Sequence, residues 1–264
     1  MKDTPLEPCA TDSLLPSVVS PQFDKYGHRI LTMGEVTRFR KEGYLRVPTL
    51  TQPSEIAWIG NLIDQFYAHR GLAHGVIDQP TKLASALQST CVYQSCLKVA
   101  RQLLGRTAMY GNDRALYKEA YGNLGSPWHQ DASFHGRYSL HDSIVFWIPL
   151  HDVQTENGCM QYIPLERNQV VLPHRPFFPK DPSSLMTDHA EEFKAVNCPL
   201  PAGGATIHGA LTLHCAHVNT VASRRRVWTL TFRPWGRWNC IAPSRVFHVA
   251  RLIAGKMMSS ARRR

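Results

Sequence analysis

The spacing of apolar positions predicts helices in the first part of the chain. Apolar residues recur at helical intervals in three segments, near residues 34–43, 53–66 and 92–103. In the second segment Ile56 and Ile63 belong to one apolar face, while polar residues occupy the opposite face. Each segment is therefore expected to form an amphipathic helix that packs on one side only.

The remainder of the chain is patterned for strands. Residues 44–48 already alternate, and after about residue 106 short segments are separated by Gly, Pro and Asn. The clearest alternation is Arg225–Arg233, in which Arg225 and Thr229 lie on one face and Trp228 lies on the other. Helices are thus followed by many short strands, and no internal repeat interrupts this order.

An H-x-D motif suggests metal chemistry. On an extended strand His129 and Asp131 point to the same face. Two neighbouring ligands leave the opposite coordination positions free, as a non-heme Fe(II) oxygenase requires, and a third ligand should lie downstream. His214 is the best candidate. His208 precedes it by six positions, with the same strand parity, and is the one serious competitor.

The segments around this motif resemble the phytanoyl-CoA dioxygenase family of Fe(II)/2-oxoglutarate-dependent oxygenases. They read W-H-Q-D at 128–131, F-W-I-P-L-x-D-V-x-x-x-N-G-C-M-Q-Y-I-P at 146–164, and L-H-x-x-x-x-N-x-x-x-x-x-R at 213–225. The resemblance covers roughly residues 34 to 235. One departure is visible, because the family's usual I-P-G-S-H is replaced at 163–167 by I-P-L-E-R.

The resemblance implies a role for each of five residues. His129, Asp131 and His214 are expected to bind Fe(II), and Arg225, eleven positions after His214, to bind the distal carboxylate of 2-oxoglutarate. Trp147 matches a tryptophan that the family places beside this cosubstrate. O2 is the second cosubstrate that the family implies. Asn219 and the arginine fit the family spacing only when counted from His214, which favours His214 over the competing histidine.

Charge balance supports an arginine in this role. Iron contributes two positive charges, while Asp131 and 2-oxoglutarate together contribute three negative charges, so one buried arginine makes the assembled site neutral. Arginine pairs bidentately with a carboxylate and stays protonated when desolvated. Arg224 and Arg226 would then face the other way from Arg225, although either remains an alternative for binding the carboxylate.

The order of elements predicts a fold that is mainly β with flanking helices. The expected core is a double-stranded β-helix, the cupin-like jelly roll, with the N-terminal helices packed outside. At 264 residues and 43% hydrophobic content, one domain suffices. The expected divisions are an extended arm at 1–30, a single jelly-roll oxygenase domain at 31–240, and a basic C-terminal helix and tail at 241–264.

Composition bears on compartment and partners. No apolar run approaches the length of a membrane span, and the first residues lack the apolar core of a signal peptide, so we expect a cytoplasmic protein. The seven cysteines show no paired spacing and are expected to be reduced. The excess of positive charge lies in residues 193–264, with twelve Lys or Arg and no Asp or Glu. That excess could attract a carrier protein or a membrane surface.

The resulting functional hypothesis is a dioxygenase that hydroxylates an unactivated C–H bond of a small organic substrate, with release of succinate and CO2. Such a substrate could be anionic or carrier-linked, for example a secondary metabolite or a lipid-derived acid. The alternatives are a non-catalytic assembly partner with the same fold and, less favoured, a protein that binds or modifies nucleic acid. Oligomeric state is left open. Residues 64–90, 132–142 and 164–195 are expected to cover the substrate pocket.

Overall fold

The computed structural model describes the chain from residue 20 to residue 234, with short gaps. The described ranges are 20–71, 75–122, 124–134, 142–165, 170–179, 184–190 and 194–234. The predicted C-terminal helix and most of the predicted cover at 132–142 lie outside the described residues. In the predicted N-terminal arm, residues 22–30 contain a two-stranded hairpin.

Four α-helices lie in the first part of the chain. They are α1 (Met33–Glu42), α2 (Pro53–His69), α3 (Pro80–Leu83) and α4 (Cys91–Leu104). The three helices predicted from apolar spacing are confirmed as α1, α2 and α4. The side chain of Thr32 caps α1 by accepting a hydrogen bond from Glu35 N. Gly43 ends the helix with φ 77°, where a Cβ atom would lie 2.6 Å from the side chain of Leu165.

Fourteen strands are present in the described residues. In chain order they are β1 (Gln22–Phe23), β2 (Arg29–Ile30), β3 (Tyr44–Val47), β4 (Gly75–Asp78), β5 (Met109–Lys118), β6 (Ser126–His129), β7 (Ile144–Pro149), β8 (Met160–Tyr162), β9 (Arg175–Pro176), β10 (Leu185–Met186), β11 (Val196–Cys198), β12 (Ala205–Gly209), β13 (His214–Ala216) and β14 (Arg225–Arg233). Two antiparallel sheets dominate. One has six strands in the order β3-β12-β7-β14-β5-β4, and the other has four in the order β11-β8-β13-β6.

The six-stranded sheet separates two cores. On its outer face, Phe146 and Trp228 pack with residues of α2 and α4, and both side chains are fully buried. On its inner face, Trp147 and Val227 pack with residues of the four-stranded sheet, including Tyr162. The predicted mainly β jelly roll with helices packed outside is confirmed. The inner core is the place where a ligand site can form between the sheets.

The segment at 64–90 differs from the prediction that it covers the substrate pocket. It contains the end of α2, followed by β4, which pairs with β5 at the edge of the six-stranded sheet. Ile77 and Leu87 are fully buried in the outer core, on the helix side. The prediction was wrong because two buried apolar anchors fix the segment against the sheet, away from the space between the two sheets.

The five cysteines within the described residues are all free thiols. Cys215 points away from the space between the sheets and donates to Gln161 Oε1 at 3.1 Å. No helix among the described residues is long and apolar enough to cross a membrane.

Candidate active site

Three predicted residues converge at the edge of the four-stranded sheet. β6 ends at His129, and β13 begins at His214, which is directly paired with His129 across the antiparallel ladder. Asp131 Oδ1 lies 3.8 Å from His129 Nε2 and 3.7 Å from His214 Nε2. One ligand atom from each residue lies within 4.8 Å of the others. Two histidines and one carboxylate therefore form a cluster with the donor set expected for non-heme iron.

His129 and Asp131 do not lie on one extended strand, contrary to the prediction from the H-x-D motif. The strand ends at His129, and Asp131 begins a 3-10 helix, Asp131–Phe134. The two side chains therefore do not share one extended strand face. Gln130, between them, is 2% exposed and donates from Nε2 to Leu211 O at 2.7 Å, so its side chain is held in the protein interior. The change of backbone direction at this residue aims the carboxylate towards the histidines.

Backbone carbonyls orient both histidine rings. His129 Nδ1 lies 2.7 Å from Pro127 O, and His214 Nδ1 lies 2.8 Å from Thr212 O. A carbonyl oxygen only accepts, so each Nδ1 carries the proton and each Nε2 has its lone pair free on the side of Asp131. This orientation by the second ring nitrogen is typical of histidines that bind metals.

The protonation states also suit a metal. Burial lowers the pKa of His129, and it lowers that of His214 well below its ordinary value. Burial alone would raise the pKa of Asp131, but the neighbouring imidazoles outweigh this effect and hold it below its usual range. Neutral imidazoles and an ionised carboxylate are the forms that bind a metal ion without first losing protons.

Arg225 lies in the inner core next to Trp147. Its guanidinium carbon is 5.4 Å from the centre of the Trp147 ring, and the two side chains are each 3% exposed. It donates from Nη1 to Gly158 O at 3.1 Å, whereas its buried Nε has no hydrogen-bond partner among the described residues. Burial lowers the guanidinium pKa to about 10. A buried cation with an unused donor fits the binding of an anion.

Two residues of the family motifs explain why this arginine occupies its position. Asn219 is 1% exposed and donates from Nδ2 to Glu119 O and to Ser223 O, which fixes the turn before β14. Gly158 has φ 80°, and a Cβ atom there would lie 2.6 Å from His217 O. The glycine lets its loop approach β13 closely enough for its carbonyl to reach Arg225.

The neighbouring arginines are held elsewhere. Arg224 Nε lies 3.2 Å from Glu119 Oε2, and Arg226 Nη1 lies 2.6 Å from Asp64 Oδ2 on α2. Both are considerably more exposed than Arg225, and each already has a carboxylate partner. Of the three consecutive arginines, Arg225 alone is buried between the sheets.

Sequence reasoning missed Lys118 as a member of this site. Lys118 is the strand partner of Arg225 across β5 and β14, and its Nζ donates to Ala216 O at 3.0 Å and to His217 O at 2.7 Å. Burial and the neighbouring guanidinium lower its pKa to about 6. The available signal was the alternation of β5, which places odd and even positions on opposite faces and so assigns Lys118 to one face of the sheet. A second basic group therefore lies beside Arg225.

His208 also lies in the site, although it is not an alternative to His214 on one strand. It belongs to β12 in the six-stranded sheet, whereas His214 belongs to β13 in the four-stranded sheet. The parity argument that linked them was wrong because the chain turns between the two strands. His208 Nε2 instead lies 3.2 Å from Asp131 Oδ2.

The segment between β8 and β11 lies against β6. Gln130 donates to Val170 O at 3.0 Å and accepts from Leu172 N at 2.8 Å, while Thr187 N donates to Trp128 O at 2.9 Å. A small apolar cluster around Ile163 joins these contacts. The described part of residues 164–195 thus lies beside His129, while its role as a cover of the substrate pocket stays a prediction.

Comparison with known proteins identifies the family. The sequence profile of the family described as phytanoyl-CoA dioxygenase (PhyH) matches residues 39–227, well over half of the chain. The chain therefore belongs to the phytanoyl-CoA dioxygenase family. A search of curated proteins found no significant match.

Solved structures with the same fold include several oxygenases. EvdO2 from Micromonospora carbonacea var. aurantiaca is 25% identical, with a TM-score of 0.68 over 79% of this chain and 96% of that chain. Its complex with 2-oxoglutarate gives the same TM-score at 24% identity. SnoK, an alpha-ketoglutarate-dependent carbocyclase from nogalamycin biosynthesis, is 22% identical with a TM-score of 0.65, covering 77% of this chain and 84% of that chain. The epimerase SnoN in complex with Fe3+, alpha-ketoglutarate and nogalamycin RO is 21% identical, with a TM-score of 0.64 over 76% of this chain and 82% of that chain.

Proposed function

We propose that this protein is an Fe(II)/2-oxoglutarate-dependent dioxygenase that oxidises a C–H bond of a small organic molecule. In this proposal His129, Asp131 and His214 bind the iron, and Arg225 binds the distal carboxylate of 2-oxoglutarate beside Trp147. The observation that carries the proposal is the joint placement, in one domain, of a metal-type cluster and a buried guanidinium that has no carboxylate partner among the described residues. Family membership and the cofactors of the structural relatives support it.

The donor set and the charges favour this cofactor pair. When bound, iron and 2-oxoglutarate supply the oxidising chemistry, and the products of the cosubstrate are succinate and CO2. The chain contributes three ligands, which leaves coordination positions for a chelating 2-oxo acid and O2. Arg225 neutralises the remaining negative charge, and a site between two sheets, shielded from water, strengthens that pairing.

The fold is compatible with more than one reaction outcome. The relatives include a carbocyclase, an epimerase and a monooxygenase, so the same fold supports several reaction outcomes. Hydroxylation is the simplest. Halogenation is disfavoured because it needs a free coordination position in place of the carboxylate, and Asp131 is present. The relatives connected with nogalamycin favour a secondary metabolite as substrate.

Substrate-dependent succinate release tests the proposal. Purified protein, Fe(II) and 2-oxoglutarate are incubated with a panel of small organic acids and polycyclic or glycosylated metabolites, and succinate is quantified. Asp131→Ala and His214→Ala should abolish both coupled and uncoupled 2-oxoglutarate turnover. His151→Ala is the matched control, because this histidine binds Asp152 O and Arg226 N away from the cluster. Normal turnover in Asp131→Ala or His214→Ala would refute the ligand assignment.

The competing hypothesis is a non-catalytic protein of the same fold. It predicts that folded protein binds neither iron nor 2-oxoglutarate and that no panel member elicits succinate. The intact cluster and Arg225 argue against it, because a chain released from catalysis has no physical reason to keep a buried guanidinium that lacks a carboxylate partner among the described residues.

A further inference from the structure

We propose that His208 is a positioning residue that holds Asp131 in a one-oxygen binding mode for the metal. The inference rests on the proposed function and deepens it. His208 is 2% exposed, and its Nε2 lies 3.2 Å from Asp131 Oδ2. The other carboxylate oxygen, Oδ1, is the one that faces His129 Nε2 and His214 Nε2. The two oxygens of Asp131 thus have different partners.

The direction of the hydrogen bonds in this contact follows from the acceptor. An ionised carboxylate can only accept, so His208 Nε2 carries the proton and donates it to Asp131 Oδ2. In the neutral imidazole Nδ1 then accepts, and the group available is the hydroxyl of Tyr162, at 3.0 Å. Tyr162 in turn lies 2.7 Å from Thr206 Oγ1, which donates to the phenol oxygen. A chain of donors therefore runs from Thr206 to the carboxylate in one direction.

Packing fixes this chain in place. Thr206 and His208 project from β12, and Tyr162 comes from β8 in the opposite sheet, so the chain bridges the two sheets. Tyr162 is fully buried and stacks on Tyr44, with ring centres 4.7 Å apart and 10° between the planes. Because this stacking holds the Tyr162 ring, the ring loses little further freedom when its hydrogen bonds form. The orientation of His208 is thus set before any metal binds.

The contact with His208 restricts how Asp131 can bind a metal ion. With Oδ2 engaged by His208, Asp131 offers Oδ1 to the metal together with the two Nε2 atoms. A carboxylate that binds through one oxygen leaves the open positions that the cosubstrates need, whereas binding through both would occupy one of them. Outer hydrogen bonds to a ligand also raise metal affinity, typically by about 10- to 100-fold.

Direct ligation is the competing role for His208. Among the described residues, the cluster whose ligand atoms lie within 4.8 Å of one another consists of His129, Asp131 and His214, without His208. The Nε2 of His208 is also the atom that is engaged with Oδ2. The two roles predict different behaviour of variants, because a positioning donor can be replaced by another donor whereas a ligand cannot be replaced by an amide without a large loss.

The test is Mn(II) or anaerobic Fe(II) binding to the apo protein, followed by calorimetry. The key variant is His208→Leu, and His208→Gln is the rescue, since a glutamine amide can reach the position of Nε2. Tyr162→Phe removes only the hydroxyl that orients His208. His151→Leu is the control for loss of a histidine far from Asp131. Thermal melting of each apo protein confirms folding.

The proposal predicts a 10- to 100-fold loss of metal affinity in His208→Leu, on the order expected for an outer hydrogen bond, with most of it restored in His208→Gln. Tyr162→Phe should show a smaller loss, and His151→Leu none. Affinity in His208→Leu within about twofold of the wild type would overturn the proposal, as would loss as complete as in His214→Ala without rescue by glutamine. If His208→Leu does not fold, an unchanged affinity in Tyr162→Phe overturns it. Absence of metal binding by the wild type would instead refute the proposed function.

Discussion

Replacement of Arg225 by methionine is the perturbation with the most direct consequence. The guanidinium is 3% exposed, and its Nε has no partner among the described residues. Its pKa falls from the ordinary value to about 10 because of burial, which corresponds to roughly 3 kcal/mol of unfavourable free energy for the charged form. A carboxylate bound beside Arg225 would offset a cost of this order by charge pairing.

The magnitude of the affinity change follows from this cost. About 3 kcal/mol corresponds to a factor on the order of a hundred in the dissociation constant. It also lies within the roughly 2–5 kcal/mol expected when one partner of a buried charge pair is removed. Arg225→Met should therefore bind 2-oxoglutarate on the order of a hundredfold more weakly. The unfolding free energy of the ligand-free protein should be unchanged or higher, because an unpaired buried charge has been removed.

The assay is anaerobic calorimetry of 2-oxoglutarate binding to protein saturated with Mn(II), together with urea unfolding of the ligand-free protein. Arg226→Met is the matched control, since Arg226 pairs with Asp64 on the outer side of the sheet. Arg225→Lys should be intermediate, because an ammonium cannot form the bidentate pair. An affinity in Arg225→Met within about threefold of the wild type would refute the reasoning.

Three further predictions concern neighbouring features. Burial and Arg225 lower the Lys118 pKa to about 6, and a bound anion would raise it. Binding of 2-oxoglutarate should therefore take up a proton, and its affinity should increase as pH falls towards 6. Lys118→Met should lose this pH dependence when binding is measured by calorimetry at several pH values. Gln130→Leu should increase hydrogen exchange at residues 170–174 while metal affinity persists; unchanged exchange would contradict the anchoring role. Phe146→Ala should cost about 3–5 kcal/mol in urea unfolding, and a loss below about 1 kcal/mol would contradict its place in the outer core.

Local sequence patterns predicted much of the fold. Apolar spacing located α1, α2 and α4, because each helix buries one apolar face. Clean alternation located β14, because its successive residues face two different cores on opposite sides of the sheet. The segment at 64–90 was misinterpreted because the apolar residues that anchor it, such as Ile77, are widely separated and their partners come from distant parts of the chain. No local period reports such contacts.

The residues of the candidate site were likewise predictable from the sequence only in part. His129, Asp131 and His214 could be found because family motifs mark them, and the structure brings them together. The contacts of Lys118 and His208 could not be predicted, because each depends on pairing between distant strands. His208 even suggested the wrong relation, since its parity with His214 has no meaning across the turn that separates two sheets.

The measurement that tests the central claim most directly is an anaerobic titration of the apo protein with Fe(II) and 2-oxoglutarate, followed by visible absorption. The account predicts the charge-transfer band of a chelated 2-oxo acid in the wild type and its loss in His129→Ala, with the control variant His151→Ala retaining it. Absence of the band in well-folded wild-type protein, or its persistence in His129→Ala, would contradict the account.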